Sequence, residues 1–167
     1  MKKYELTEET VTVYGKTLYR IRAVRDFGSV KTGEFGGYIE KEENLSHFGN
    51  AWVFGNAWVF DNAKVYDDAW VCGDAKVYGD AWVSGNAEVF NTRHFFVQGP
   101  IGSRDGYVTF YRTKDDTVEV RCGCFSGSLQ KFVDRVEETH GGSRYEKEYK
   151  LAAELAKVCI RLEGESR

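Results

Sequence analysis

Residues 49–90 read GNAWVF, GNAWVF, DNAKVY, DDAWVC, GDAKVY, GDAWVS and GNAEVF, seven hexads without an insertion. Written from the valine, each unit is Val-x-[Gly/Asp]-[Asn/Asp]-Ala-x. Side chains alternate along a strand, so Ala and Val fall on one side and Trp and Phe on the other. The two residues that follow are always Gly, Asp or Asn, the types that tolerate left-handed backbone. Each hexad is therefore a short strand and a sharp corner.

This pattern resembles the hexapeptide repeat of left-handed parallel β-helices, in which three hexads make one triangular coil. The resemblance implies an eighteen-residue coil and stacked outer columns. One outer face then carries Trp52, Phe54, Trp70, Cys72, Glu88 and Phe90. A second carries Trp58, Phe60, Lys76 and Tyr78, and the third Phe48, Lys64, Tyr66, Trp82 and Ser84. At the corners Asp68 falls between Asn50 and Asn86, Asp74 over Asn56 and Asp80 over Asn62, which suits amide–carboxylate hydrogen bonds. Counting back in sixes continues a degraded repeat, with Phe35, Lys41 and His47 as valine equivalents and Gly33, Ile39 and Leu45 as alanine equivalents. A degraded first coil is expected at the end of a stack. The whole is a stub about 15 Å tall at a strand spacing of roughly 4.8 Å.

Aromatic columns of this kind mark contact surfaces. The expectation is that the chain's own termini cover one face and another subunit covers the first, through Trp52, Phe54, Trp70 and Phe90. That makes the protein a homo-oligomer, a dimer or trimer. Intramolecular cover of every face is the alternative.

The chain has 167 residues, 23 basic and 26 acidic, for a net charge of −3. Mixed charge of this size speaks against general nucleic-acid or membrane-surface binding. MKKYELTEET lacks an apolar stretch, so no secretory signal is expected. Four dispersed cysteines suggest a reduced, cytoplasmic protein rather than a disulfide framework.

Outside the repeat, residues 3–25 alternate as a β-hairpin around Tyr14-Gly15-Lys16. Arg20, Arg22 and Arg25 form a basic cluster, read as a solvated edge or as a site for phosphate or an acidic partner. FFVQG, YVTFYRT and VEVRCGCF read as three strands, with Lys114-Asp115-Asp116 as a turn. Ser128 suits a helix N-cap before Leu129, Phe132, Val133 and Val136, and His140-Gly141-Gly142 closes that helix. A second helix from about Ser143 carries Tyr145, Tyr149, Ala152, Leu155, Ala156, Cys159 and Ile160 on its apolar side, and GESR at the end should fray. The expected organisation is mainly β. An N-terminal hairpin and cap (1–32) precedes a short left-handed parallel β-helix of about three coils (33–92). A C-terminal α+β domain of about three strands and two helices (93–167) follows.

The repeat also looks like that of the hexapeptide-repeat superfamily of acyltransferases and gamma-type carbonic anhydrases. The whole chain is similar to phage, prophage and gut-bacterial proteins named as transferases or polymer-forming proteins, through FGGYIEKEENLS, the hexads, GPIGSR, TFYRTKD, CGCFSG and EETHG. This second resemblance implies a mobile-element origin. The first implies a histidine near a subunit seam, or three zinc histidines. Here only His47 lies near the coils, and His94 and His140 are widely spaced in sequence. Neither enzyme carries over residue by residue, and no cofactor or metal is expected; an acyltransferase-like enzyme is the alternative.

Two further motifs remain. Cys122-Gly123-Cys124, if on one strand, turns both thiols to one side, as buried small apolar groups, a redox pair or zinc ligands. GPIGSRDG is either a tight hairpin loop or an anion cradle with Ser103, Arg104 and, nearby, Arg93 or Arg112. The functional expectation is a non-enzymatic, phage-type interaction protein. Its β-helix is the oligomerisation platform and its C-terminal domain the recognition module. Inhibition of a bacterial defence system, by binding a protein complex or a nucleotide signal, is the most specific form of this expectation.

Overall fold

The computed structural model describes residues 1–163. The fraying expected of GESR, residues 164–167, falls outside them. The described chain is mainly strand, with two helices near its C-terminal end. It divides into two compact units, Met1–Thr92 and Arg93–Arg167, so the N-terminal hairpin and the hexads share one unit.

In the first unit β1 (Tyr4–Val13) and β2 (Lys16–Ala23) pair antiparallel around Tyr14 and Gly15. Both turn residues have positive φ, 50° and 77°, which matches the twist of a two-residue hairpin. β3 (Phe35–Ile39) adds to β2, again antiparallel. The hexads then supply β4 (Trp52–Val53), β5 (Trp58–Val59), β6 (Lys64–Val65), β7 (Trp70–Val71), β8 (Lys76–Val77), β9 (Trp82–Val83) and β10 (Glu88–Val89).

The hexad strands pair in parallel at a step of eighteen residues: Trp52 with Trp70, Trp70 with Glu88, Trp58 with Lys76, and Lys64 with Trp82. Three hexads thus make one turn of the coil. No alanine or valine of the seven hexads is more than 2% exposed. The first corner residue of every hexad (Gly49, Gly55, Asp61, Asp67, Gly73, Gly79, Gly85) has φ between 58° and 68°. Asn50 donates to Asp68 at 2.9 Å and Asn62 to Asp80 at 3.1 Å, the amide–carboxylate contacts that the corner columns imply.

The lead-in departs from the expected register. Ile39 pairs with Val59 and Leu45 with Val65, a step of twenty residues rather than eighteen. Ile39 and Leu45 therefore hold valine positions, and Phe35, Lys41 and His47 do not. The two extra residues lie in the corner after Leu45, which wraps the start of β1. Tyr4 Oη donates to the Leu45 carbonyl at 2.7 Å, and the Lys3 N–H donates to His47 Nδ1 at 3.1 Å. Phe48, expected in the column of Lys64 and Tyr66, instead stands on this corner, 82% exposed.

In the second unit β11 (Phe95–Ile101), β12 (Gly106–Arg112), β13 (Val118–Cys122) and β14 (Phe125–Ser128) form an antiparallel sheet in chain order. The expected third strand is two. Gly123, at φ 55°, leads a two-residue turn that pairs Cys122 with Phe125. α1 (Leu129–His140) starts at Ser128, whose side chain accepts the Lys131 N–H. α2 (Arg144–Cys159) starts at Ser143, which accepts the Glu146 N–H. Val108, Phe110 and Val120 of the sheet pack against Phe132 and Val136 of α1 and Ala152, Ala156 and Ile160 from α2 and its end. Leu155, expected on the inner side of α2, is 47% exposed. Ala153 joins the expected Ala152 and Ala156 on the inner side, because small side chains let a helix approach closely.

Candidate functional site

The outer surface of the coil is the most ordered display of large side chains in the first unit. Two of its first-tier residues, Trp52 and Phe60, are covered by the chain itself. Trp52, expected at a subunit contact, is 2% exposed and belongs to the core. Phe27 meets it edge-on at 5.2 Å and Tyr4 at 6.2 Å. Beside it Lys3 is fully buried, donating to the Ala51 carbonyl at 2.7 Å, with its ammonium 4.8 Å from the Phe27 ring. Burial, then repulsion from Arg25, lowers the Lys3 pKa to about 8, against a smaller opposing pull from Asp68. On the second face Val13 and Leu18 of the hairpin cover Phe60.

The next tier has no such cover from the hairpin. Trp70 is half-buried and takes Phe54 edge-on, at 5.2 Å and 83°. Phe90, half-buried, continues the column of Phe54 and Cys72. Burial, with Glu88 adding to it, raises the Cys72 thiol to about 11, so it is a neutral filler in this column. On the other two faces Lys76 lies 4.5 Å from the Trp58 ring, and Lys64 5.2 Å from the Trp82 ring. Phe60 stacks on Tyr78 at 5.3 Å. Each lysine stem thus roofs an indole one coil away, and the ammonium gains a cation–π contact.

Two arginines of the hairpin cluster are ion-paired within the chain, and Arg25 donates to the His47 carbonyl at 3.4 Å. Arg20 meets Glu9 at 3.0 Å and lies 5.0 Å from the Phe35 ring, and Arg22 bonds Glu5.

The four residues singled out for ligand binding are not brought together. Ser103 and Arg104 are exposed on the loop between β11 and β12. Gly102 at its base already donates to a carboxylate oxygen of Glu148, at 2.7 Å, so an anion of the chain itself holds that N–H. Arg112 lies at the far end of β12, about 20 Å away at the usual rise per residue. It is 2% exposed and paired with Asp116 at 2.8 Å and Glu163 at 3.2 Å. Arg93 is exposed just before β11, and its carbonyl accepts the Arg161 N–H at 2.9 Å.

The histidines sit in three different settings. His47 stacks on Tyr4 at 4.3 Å with Nε2 3.7 Å from Glu42, and burial lowers its pKa against the pull of that carboxylate. His94 is buried, and His140 packs against Tyr149 at the end of α1. All four cysteines are free thiols. Cys122 is half-buried, its pKa raised by burial against a hydrogen bond with Tyr149, whereas Cys124 is exposed on the turn. The turn gives the two thiols different surroundings. Among the described residues no group of three or more His, Cys, Asp or Glu side chains is placed to hold a metal ion.

One feature of the second unit was not among the expected sites. Leu151, Leu155 and Val158 are exposed together on α2. Their spacing of four and three is legible in the helical pattern, although Leu155 lies in sequence between the inner residues Ala152 and Ala156.

Compared with known proteins, the chain matches no family model and no curated sequence. No helix among the described residues is long and apolar enough to cross a membrane.

Proposed function

We propose that the protein is a non-enzymatic binding protein. In this reading the eighteen-residue coil is a short left-handed parallel β-helix of the hexapeptide-repeat type. It is the platform on which copies associate, and the second unit is the recognition module. The observation that carries the proposal is the contrast between two stacked tryptophans. Trp52 is sealed by Tyr4 and Phe27, whereas Trp70, directly above it in the ladder, keeps part of its surface open beside Phe54. A half-open aromatic column on a rigid ladder suits a flat partner surface.

The similarity of the whole chain to phage and gut-bacterial proteins directs the search for a target to host factors. A defence complex or a nucleotide signal comes first. Two substitutions separate the roles. Trp70→Ala is expected to reduce the mass in solution to that of the 19.0 kDa monomer while the fold is kept. Arg104→Ala, on the exposed loop, is expected to keep the mass and weaken capture of the target in pull-downs. If neither change alters mass or capture, the assignment fails. A thermal shift with coenzyme A and none with nucleotides would favour the acyltransferase-like alternative.

A further inference from the structure

We propose that the outward face of α2 is a second self-association surface, which takes the α2 of another copy in antiparallel orientation. The proposal does not depend on the role given to the coil. Leu151 is 70%, Leu155 47% and Val158 71% exposed. Offsets of four and three put these side chains in one line along the helix. A surface helix ordinarily presents charge there, and a contiguous exposed apolar stripe marks a contact surface.

The line is close to palindromic, which favours an identical partner. With a two-fold axis beside Leu155, that side chain meets its own copy, and Leu151 of each helix meets Val158 of the other. The flank repeats the symmetry. Glu154 and Lys157 are exposed and form an ion pair at 2.7 Å within the helix. The same axis brings Glu154 of each helix next to its own copy, so the two carboxylates meet there, each neutralised by the Lys157 of its own helix. Isologous pairing of this kind is the common geometry of homodimers. A helix about 24 Å long offers far less than the roughly 800 Å² per partner of a standard interface, so the contact is weak and appears at high concentration.

Sedimentation of the full chain from about 5 to about 500 µM tests this, a range that brackets weak association. The weight-average mass of the wild type should rise by about half across the range, and Leu155→Glu should abolish that rise with an unchanged circular dichroism spectrum. Val158→Glu, at the more exposed site, should do the same. Glu154→Lys should weaken association, and Glu154→Lys with Lys157→Glu should restore it. A wild type whose mean mass does not rise across the range overturns the proposal. So does a Leu155→Glu variant that associates like wild type, or binding of phosphatidylserine vesicles by this face without a rise in mass. Association through the coil would be lost in Trp70→Ala and kept in Leu155→Glu, so the two contacts are distinguishable.

Discussion

Each hexad of residues 49–90 buries the same alanine and valine, and hexads that pair with one another lie eighteen residues apart. The core of the second unit has no repeat. There Phe110 of β12, Val120 of β13 and Phe132 of α1 meet from three elements, and each contact is unique. The coil spreads its stability over many equivalent steps, in the manner of a solenoid, while the sheet-and-helix unit concentrates it in a few side chains. A defect in the coil should therefore be local, and a defect in the second core should be global to that unit.

The largest expected effect breaks the second unit alone. Phe132, 3% exposed, touches Phe110 edge-on at 5.8 Å and Tyr149 at the same distance. Phe132→Ala should cost about 3–5 kcal/mol. Both described helices lie in this unit and all four tryptophans lie in the hexads. Urea melts should thus show the far-UV helical signal lost early while the tryptophan fluorescence midpoint stays put. A joint shift would mean that the two regions unfold as one body.

The next prediction asks whether equivalent corners are equal. A Cβ on Gly49 would lie 2.4 Å from the Asp67 carbonyl oxygen, whereas one on Gly79 meets nothing within 4 Å. Both have φ 68°. Gly49→Ala should cost about 3 kcal/mol, from collision and backbone strain together, and Gly79→Ala about 1 kcal/mol, from strain alone. Equal midpoints in chemical denaturation would show that the backbone at residue 49 relaxes freely.

A pH titration sharpens the contrast between the covered tier and the open one. Unfolded Lys3 keeps its proton up to about pH 10.4, while the folded side chain releases it near pH 8. Between those values the unfolded chain binds more protons, so stability should rise with pH by at most about 1 kcal/mol per pH unit. Above that window the Tyr4 hydroxyl, whose pKa is raised by burial, acts in the opposite sense. Lys3→Met should flatten the rise in midpoint between pH 8 and pH 10; an unchanged slope would remove Lys3 as its source. The smallest effect belongs to the corners. Asn62→Ala removes one exposed hydrogen bond to Asp80 and should cost about 0.5–1 kcal/mol, a small shift in the fluorescence midpoint.

How much of this was legible differs between the regions for the same reason. Inside the repeat, strand position, inward residues, corner residues and stacking order all follow from a six-residue period. Before Ala51 the period stops constraining the chain. A corner of six or of eight residues fits the composition equally well, and tertiary contact with Tyr4 and Lys3 selects the longer one. Trp52 and Trp70 occupy the same hexad position, so nothing local could say that Phe27 would seal only the first. In the second unit Ser128 and Gly142 announced the ends of α1. Gly123 was an available turn signal between Cys122 and Cys124, outweighed by the apolar run around it. α2 misled because it carries aliphatic residues on both sides, and the alanines, not the leucines, face the sheet.

The invariance of the hexad interior has a consequence for how such a chain can change length. Any six residues of this pattern could be added within 49–90, and the inside would look the same, since each unit contributes one alanine and one valine. The outside would not. Every later strand would move to the next face, so that Trp70 would no longer lie over Trp52, nor Lys76 over Trp58. Only additions in eighteens preserve the surface. Single-hexad duplication is thus structurally silent within and reshuffles the exterior in one step, offering new surfaces without a new core.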